Sequence, residues 1–325
     1  MMNTLIKNKF VVAMALSGVL VGCGSDSDDN NSGTANFTFG VSDAPVTVAE
    51  EVMVCFNTVE LVGNGADPVT FTIGEDGNTV AANDACLDEE GEVVANTRGI
   101  NLLEVTGSDS ENLVNNAEIP AGNYGQLRLE IGTGSYVMVD GEKLPLRVPS
   151  NELKLIGVTI AAAGEVNYTL EFDLRKALVD PVGQDGYLLK PTGLRLVDNS
   201  EIGHLEGTVA ESLLLNNECP VAPDDISAPV ASVYLYQGAD VALEDMADNG
   251  GSEEVEPYAS TNVFFDGAAN YNFEIGFITA GDYTAAVTCD DDADPEADDD
   301  VSFLEAETVT IEATQQPATV ELGAE

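Results

Sequence analysis

Tryptophan is absent from this 325-residue chain, histidine occurs once, and 11 Lys or Arg stand against 58 Asp or Glu. Each scarcity excludes something. A formal net charge of −47 repels phosphate backbones and anionic headgroups. No local basic patch offsets it, so nucleic acid is excluded as a partner, as is electrostatic adsorption to a membrane surface. With His204 alone, a Ser-His-Asp triad has a single candidate base, and that residue sits in what reads as a linker. G-x-S-x-G, H-E-x-x-H and P-loop patterns are all missing, so no catalytic residue is assigned. The lack of Trp removes the usual stacking platform of sugar clefts. Tyr234, Tyr236 and Tyr258 would have to replace it, and they read better as side chains packed in or beside the core. Paired carboxylates for glycoside hydrolysis cannot be singled out among 58 acids.

The longest apolar run, Phe10 to Val21, follows Lys7 and Lys9 and is too short to span a bilayer. It reads as the core of a secretory signal peptide over residues 1–22. Leu20-Val21-Gly22-Cys23 resembles the bacterial lipobox, in which cleavage before the Cys is coupled to its acylation. The resemblance implies that Cys23 is lipidated and that the chain meets the membrane through this anchor. Gly24, where inner-membrane lipoproteins tend to carry Asp, favours the outer membrane, with the face left open. Residues 23–34 hold almost nothing apolar to bury and read as a disordered tether.

Four cysteines then remain, Cys55, Cys86, Cys219 and Cys289, which allow three pairings in an exported, disulfide-permissive chain. Pairing within domains gives Cys55–Cys86 and Cys219–Cys289. Metal ligation is the rival reading, but no C-x-x-C spacing exists. Period-two alternation recurs at Phe37–Val41, Gln126–Ile131, Val166–Leu174, Tyr271–Phe277 and Thr308–Glu312, punctuated by Gly, Asn and Asp. The expected fold class is all-β, with two β-sandwich domains behind the tether. Helix is expected only around Ser110 to Asn115 and Leu174 to Val179. A local echo, Ile119-Pro120-Ala121-Gly122-Asn123-Tyr124 against Ile278-Thr279-Ala280-Gly281-Asp282-Tyr283, suggests two related sandwich ends or one common turn arising twice. After Arg195 no Lys or Arg occurs, while 30 Asp or Glu do. A shift that sharp places a domain change near Ser200 to Gly207, giving domains of 35–200 and 203–325.

Ser42-Asp43-Ala44-Pro45, Ile119 to Tyr124, Leu146-Arg147-Val148-Pro149-Ser150, Phe172-Asp173-Leu174-Arg175-Lys176 and Gly186 to Asp198 together resemble the DUF4382 domain of bacterial exported lipoproteins. The resemblance implies an exported β-rich module and carries no activity. Residues 203–325 look more loosely like a carboxypeptidase-regulatory or prealbumin-type sandwich, through Gly207-Thr208-Val209, Val233 to Tyr236 and Ala280 to Tyr283.

The acidic run Asp290 to Asp300 is the sharpest candidate for chemistry. Asp290, Asp292, Asp294 and Asp298 fall at the first, third, fifth and ninth positions of a calcium loop, although Pro295 and Val301 replace the Gly and Glu of an EF-hand. An irregular Ca²⁺ loop and a plain solvated loop both fit. Asp43, Arg128, Asp173, Arg175 and Lys176 suit salt bridges at a sandwich rim. The resulting expectation is a non-enzymatic, lipid-anchored envelope module, structural or ligand-binding, with Ca²⁺ as its candidate cofactor. The alternative is a carbohydrate-binding or carbohydrate-hydrolysing accessory protein.

Overall fold

Alternating apolar residues become strands wherever one face meets a core. In a computed structural model, the described residues are 33–44, 49–63, 65, 67–292 and 294–324. The expected signal peptide, Cys23 and nearly all of the expected tether lie outside them. Within Thr34–Ala44, Phe37, Phe39 and Val41 alternate inward and are fully buried. This strand pairs in parallel with Glu165–Asp173 and antiparallel with Glu111–Pro120, and Leu194–Asp198 completes a four-stranded sheet.

A second sheet packs over it. Its order is Leu178–Val179, Tyr187–Leu189, Glu142–Arg147, Tyr136–Val139, Glu51–Gly63, Gly122–Ile131 and Glu152–Ile160. The short strands Val69–Thr72 and Arg98–Asn101 add to the long Glu51–Gly63 strand. Val52, Val54, Phe56, Leu127 and Leu129 from this sheet meet Phe37, Phe39, Leu170 and Phe172 from the first in one core. Phe56 meets Phe172 edge to face at 6.2 Å between ring centres.

The remaining strands form a single seven-stranded sheet, in the order Glu305–Ile311, Gly281–Thr288, Pro229–Gln237, Ala259–Phe265, Tyr271–Thr279, Ile202–Val209 and Ala318–Leu322. All seven contribute to one core, so the sheet wraps around its own apolar face as a sandwich does. No described strand is shared between the two sheet systems, and the change falls between Leu194–Asp198 and Ile202–Val209. The protein is therefore all-β, with two sandwiches, and residues 32–325 form one compact unit.

Both disulfides form within domains, Cys55–Cys86 and Cys219–Cys289. They close loops of 31 and 70 residues, worth about 4 kcal/mol each on the chain-entropy model. The sequence echo is structural. Tyr124 donates its hydroxyl to Pro120 O at 2.8 Å and Tyr283 to Thr279 O at 2.8 Å, and both rings are buried where a strand begins. Each domain thus carries the same tyrosine lock across a corner.

Two expectations are corrected. Ser110 to Asn115 is not helical but opens the Glu111–Pro120 strand, in which Leu113 and Val114 are buried side by side at a register shift against Phe37, Phe39 and Gly40. That irregularity breaks the period of two and imitates helical spacing. His204 is not in a linker but in the Ile202–Val209 strand, 5 % exposed. Its Nδ1 accepts the Phe277 N–H at 3.3 Å, its ring sits edge-on to Phe277, and burial lowers its pKa. The second expected helix is present over Leu174–Ala177 before the chain turns extended again.

Candidate functional site

The four-stranded sheet of the first domain has two buried faces. One covers its own core. The other carries Ser42, Thr169, Glu171 and Asp173, all at most 2 % exposed, and is covered by the second domain. The parallel register sets Ser42 beside Glu171 and Ala44 beside Asp173. Polar residues at period two, which would face water in an isolated sandwich, here face a protein seam.

Basic residues cross that seam. Arg175, in the Leu174–Ala177 turn, donates through Nη1 to Ser232 Oγ at 2.9 Å and Asn262 Oδ1 at 2.6 Å, and through Nη2 to Tyr234 Oη at 2.7 Å. Tyr234, fully buried, passes its own proton donor on to Asp292 Oδ2. The same carboxylate oxygen accepts Asn249 Nδ2 at 2.9 Å and Asn249 N at 3.2 Å. A continuous polar chain therefore runs from the first domain through the second into the acidic loop.

Arg195 donates to Tyr258 O at 3.2 Å, stacks over the Tyr258 ring, and lies 3.9 Å from Glu171 and from Asp173. Asp173 Oδ2 accepts Ser260 N at 3.1 Å across the seam. Lys190 pairs with Glu296, and Lys176 lies 3.9 Å from Glu256. The last four basic residues of the sequence all reach the second domain. An apolar patch of Val197, Ile202 and Phe277 closes one end, and Glu274 Oε1 accepts Ser108 N at 2.7 Å at the other.

Burial governs the electrostatics. Desolvation pushes Glu171 up to about 8, opposed by the Arg195 guanidinium and aided by Asp173. Asp43, on the core side of the same strand ends, is raised well above the carboxylate range by burial and by repulsion from Glu171 and Asp173. Asp173 is raised by burial against the pull of Arg195 and Arg175. The reading of these groups as rim salt bridges is therefore replaced by a buried interdomain network. Arg128, part-exposed beside Glu60 and Glu152, and Lys176, whose partner Glu256 is exposed, keep the simpler role.

The acidic loop divides. Asp290 Oδ2 accepts Ser302 N at 2.8 Å and Asp294 Oδ1 accepts Glu296 N at 3.0 Å, so both stitch the loop to itself. Asp292 turns into the seam, and Asp298 accepts the Ser252 hydroxyl at 2.7 Å. Asp248, 4 % exposed, accepts Asp299 N at 2.7 Å. Oxygens of Asp248, Asp292 and Asp299 lie within 4.8 Å of one another, as do oxygens of Asp248, Glu253 and Asp298. The four aspartates expected from loop spacing are thus not brought together. Asp292 and Asp298 each join Asp248, which sequence spacing gave no reason to include. Glu171, Arg195, Ser232, Asn249 and Asn262 were also missed, since each occupies an ordinary polar position of a strand or turn.

Beside the seam an open groove of about 830 Å³ is lined by Phe264, Phe265 and Phe273 with Glu206, Glu274 and Glu321.

Residues 34–191 match the family model described as "Domain of unknown function (DUF4382)". No curated protein matches the chain. Among solved structures, a candidate adhesin from Bacteroides ovatus is similar at 10 % identity and a TM-score of 0.20, covering 95 % of each chain. A candidate cell adhesion protein from Parabacteroides distasonis aligns at 10 % identity and 0.19, over 90 % of this chain and 93 % of that one. A streptococcal ancillary pilin aligns at 13 % identity and 0.17, over 91 % and 62 %. Overlaps of that size carry no argument about role.

Proposed function

We propose that this chain, whose residues 34–191 form a domain of the DUF4382 family, is a non-enzymatic module of the bacterial cell envelope. It is tethered by lipid at Cys23 to the outer membrane and holds two β domains at a fixed angle to present a ligand surface. The observation that carries this reading is the seam itself. Linked domains ordinarily move relative to one another unless their interface is large and well matched. Here separation would strip Arg175 of three hydrogen bonds and expose groups that the fold keeps dry. A rigid two-domain body held by a lipid anchor is suited to spacing or binding. Two disulfides support an oxidising compartment, and the Leu20 to Cys23 tetrapeptide supports acylation.

The alternative, a carbohydrate-binding or carbohydrate-hydrolysing accessory protein, is favoured by one observation: the groove that sets three Phe rings beside three Glu carboxylates.

Expression of the full precursor in a Gram-negative host with an alkyne-palmitate label tests the anchor. Label and outer-membrane fractionation are expected for the wild type, with both lost in Cys23→Ala. Envelope extracts passed over the immobilised mature chain test the module. Retention of a specific envelope component without chemical change supports it, whereas turnover on a glycan panel would establish the accessory-enzyme alternative instead.

A further inference from the structure

We infer that Asp248, Asp292 and Asp299 form a site for one hard divalent cation of the Ca²⁺ class, which pins the 290–300 loop onto the interdomain seam. This goes beyond the envelope-module reading and does not depend on it. The carboxylate oxygens lie within 4.8 Å of one another. Three oxygens within that spacing share a point no more than about 2.8 Å from each, so small side-chain rotations bring all three to the roughly 2.4 Å of Ca²⁺ ligands.

Clustering alone would describe any acidic surface; burial and unmet valence distinguish this one. Asp248 is 4 % exposed and its Oδ1 has no hydrogen bond, while its Oδ2 already accepts Asp299 N. Asp292 repeats the pattern: Oδ2 takes Tyr234 Oη and both Asn249 donors, and Oδ1 has none. The local donors converge on one oxygen of each carboxylate and leave the second buried and unanswered. Such a group costs stability unless a cation or donor meets it.

No basic residue of the sequence follows Arg195, and the nearest charge on the polar chain, Arg175, is committed to Ser232, Asn262 and Tyr234. Asn249, 1 % exposed with Oδ1 unpartnered and Nδ2 on Asp292, sets a neutral oxygen donor beside the carboxylates.

The backbone is shaped for this approach. Gly250 has φ of +96°, and a Cβ there would lie 2.5 Å from Ala297 O. A Cβ on Gly251 would lie 2.0 Å from Asp248 Oδ1. The turn can press onto the 295–297 segment only without a side chain at Gly250, and the bare Gly251 leaves room for the Asp248 carboxylate. Irregular all-oxygen surroundings suit Ca²⁺, which accepts six to eight ligands flexibly, better than Mg²⁺, which demands an octahedron.

The test uses the full mature chain stripped with EDTA and titrated with CaCl₂ by calorimetry, with Tb³⁺ luminescence sensitised by the nearby Tyr234 as a second readout. Expected are one ion per chain, a melting temperature raised by 1 mM Ca²⁺ and less by 1 mM Mg²⁺, and Tb³⁺ emission displaced by Ca²⁺. Asp248→Asn keeps an acceptor for Asp299 N and removes a buried charge, so it should fold at least as stably in EDTA. It should nevertheless lose at least tenfold in Ca²⁺ affinity. The double variant Asp290→Asn with Asp294→Asn should bind as the wild type does. The inference is overturned if 1 mM Ca²⁺ gives neither heat nor a thermal shift. Unchanged affinity in Asp248→Asn, or loss of binding in the Asp290/Asp294 double variant, also overturns it, since the ion would then belong to the exposed loop.

Discussion

Replacing Glu171 by Gln should make the protein more stable at pH 8 than the wild type while changing little at pH 5. Glu171 is fully buried, and desolvation raises its pKa from 4.5 to about 8. The folded chain therefore holds this proton more tightly than the unfolded chain does. The associated stability is fully present below pH 4.5 and is lost as pH rises through about 8. Linkage between those two values gives a wild-type loss of about 3 kcal/mol from pH 5 to pH 8. Gln cannot ionise and loses none of it. In a chain of this size that difference corresponds to roughly 5–10 °C in melting temperature. Calorimetric scans of both proteins at pH 5, 6, 7 and 8 make the measurement, and the window from 6 to 8 is cleanest because ordinary surface carboxylates have finished titrating there. A variant-minus-wild-type difference that stays flat across the four pH values would refute the buried, proton-holding role of Glu171.

Arg175→Ala should cost about 3 kcal/mol in urea denaturation, since it removes the charged donor that Ser232, Tyr234 and Asn262 accept. Arg175→Lys should recover only part of this, because an ammonium cannot reproduce the planar fork; full recovery would show that charge alone matters. Removing the second bridge with Cys219→Ser and Cys289→Ser should lower stability by about 4 kcal/mol, read as a lower denaturation midpoint than the wild type without reductant, a difference that disappears once reductant opens both bridges of the wild type and the remaining Cys55–Cys86 bridge of the variant. Tyr124→Phe and Tyr283→Phe should each cost about 1 kcal/mol with additive effects, as their hydroxyl bonds to Pro120 and Thr279 lie in separate domains.

Much of the fold was legible because it is written locally. Alternation at Phe37–Val41 and Val166–Leu174 marks strands whichever sheet they join, and pairing of Cys55 with Cys86 and Cys219 with Cys289 follows from which half each occupies. The Glu111–Pro120 strand was misread because a register shift buries two adjacent residues, Leu113 and Val114, and no one-dimensional period records a bulge. The site was mostly illegible for a different reason. Glu171 and Asp173 stand on the polar side of a good strand, where water is the default neighbour, and only the docking of a second domain turns them into buried groups. His204 looked like linker because Ile202 to Leu205 is buried on both faces, leaving no alternation to read.

Charge was the one long-range signal in the sequence, and its meaning changes with the seam. The restriction of basic residues to positions before Arg195 reads first as a compositional boundary, yet Arg175, Lys176, Lys190 and Arg195 all lie against the acidic domain. The asymmetry is thus partly a matching rule between the two halves. Its balance can be checked within the buried network. The two guanidinium groups of Arg175 and Arg195 belong to one network with four carboxyl groups: those of Glu171, Asp173 and Asp292, and that of Asp43, which repels Glu171 and Asp173. Two positive charges cannot hold four negative ones in a dry interior. The proton-holding pKa of Glu171 and the upward push of burial on Asp43 remove the excess. Arg175 is also connected through Tyr234 to Asp292, one of the proposed cation ligands. Any ion bound there draws charge from the same carboxylate that the tyrosine reads, so cation occupancy and domain docking share one residue and should be energetically coupled.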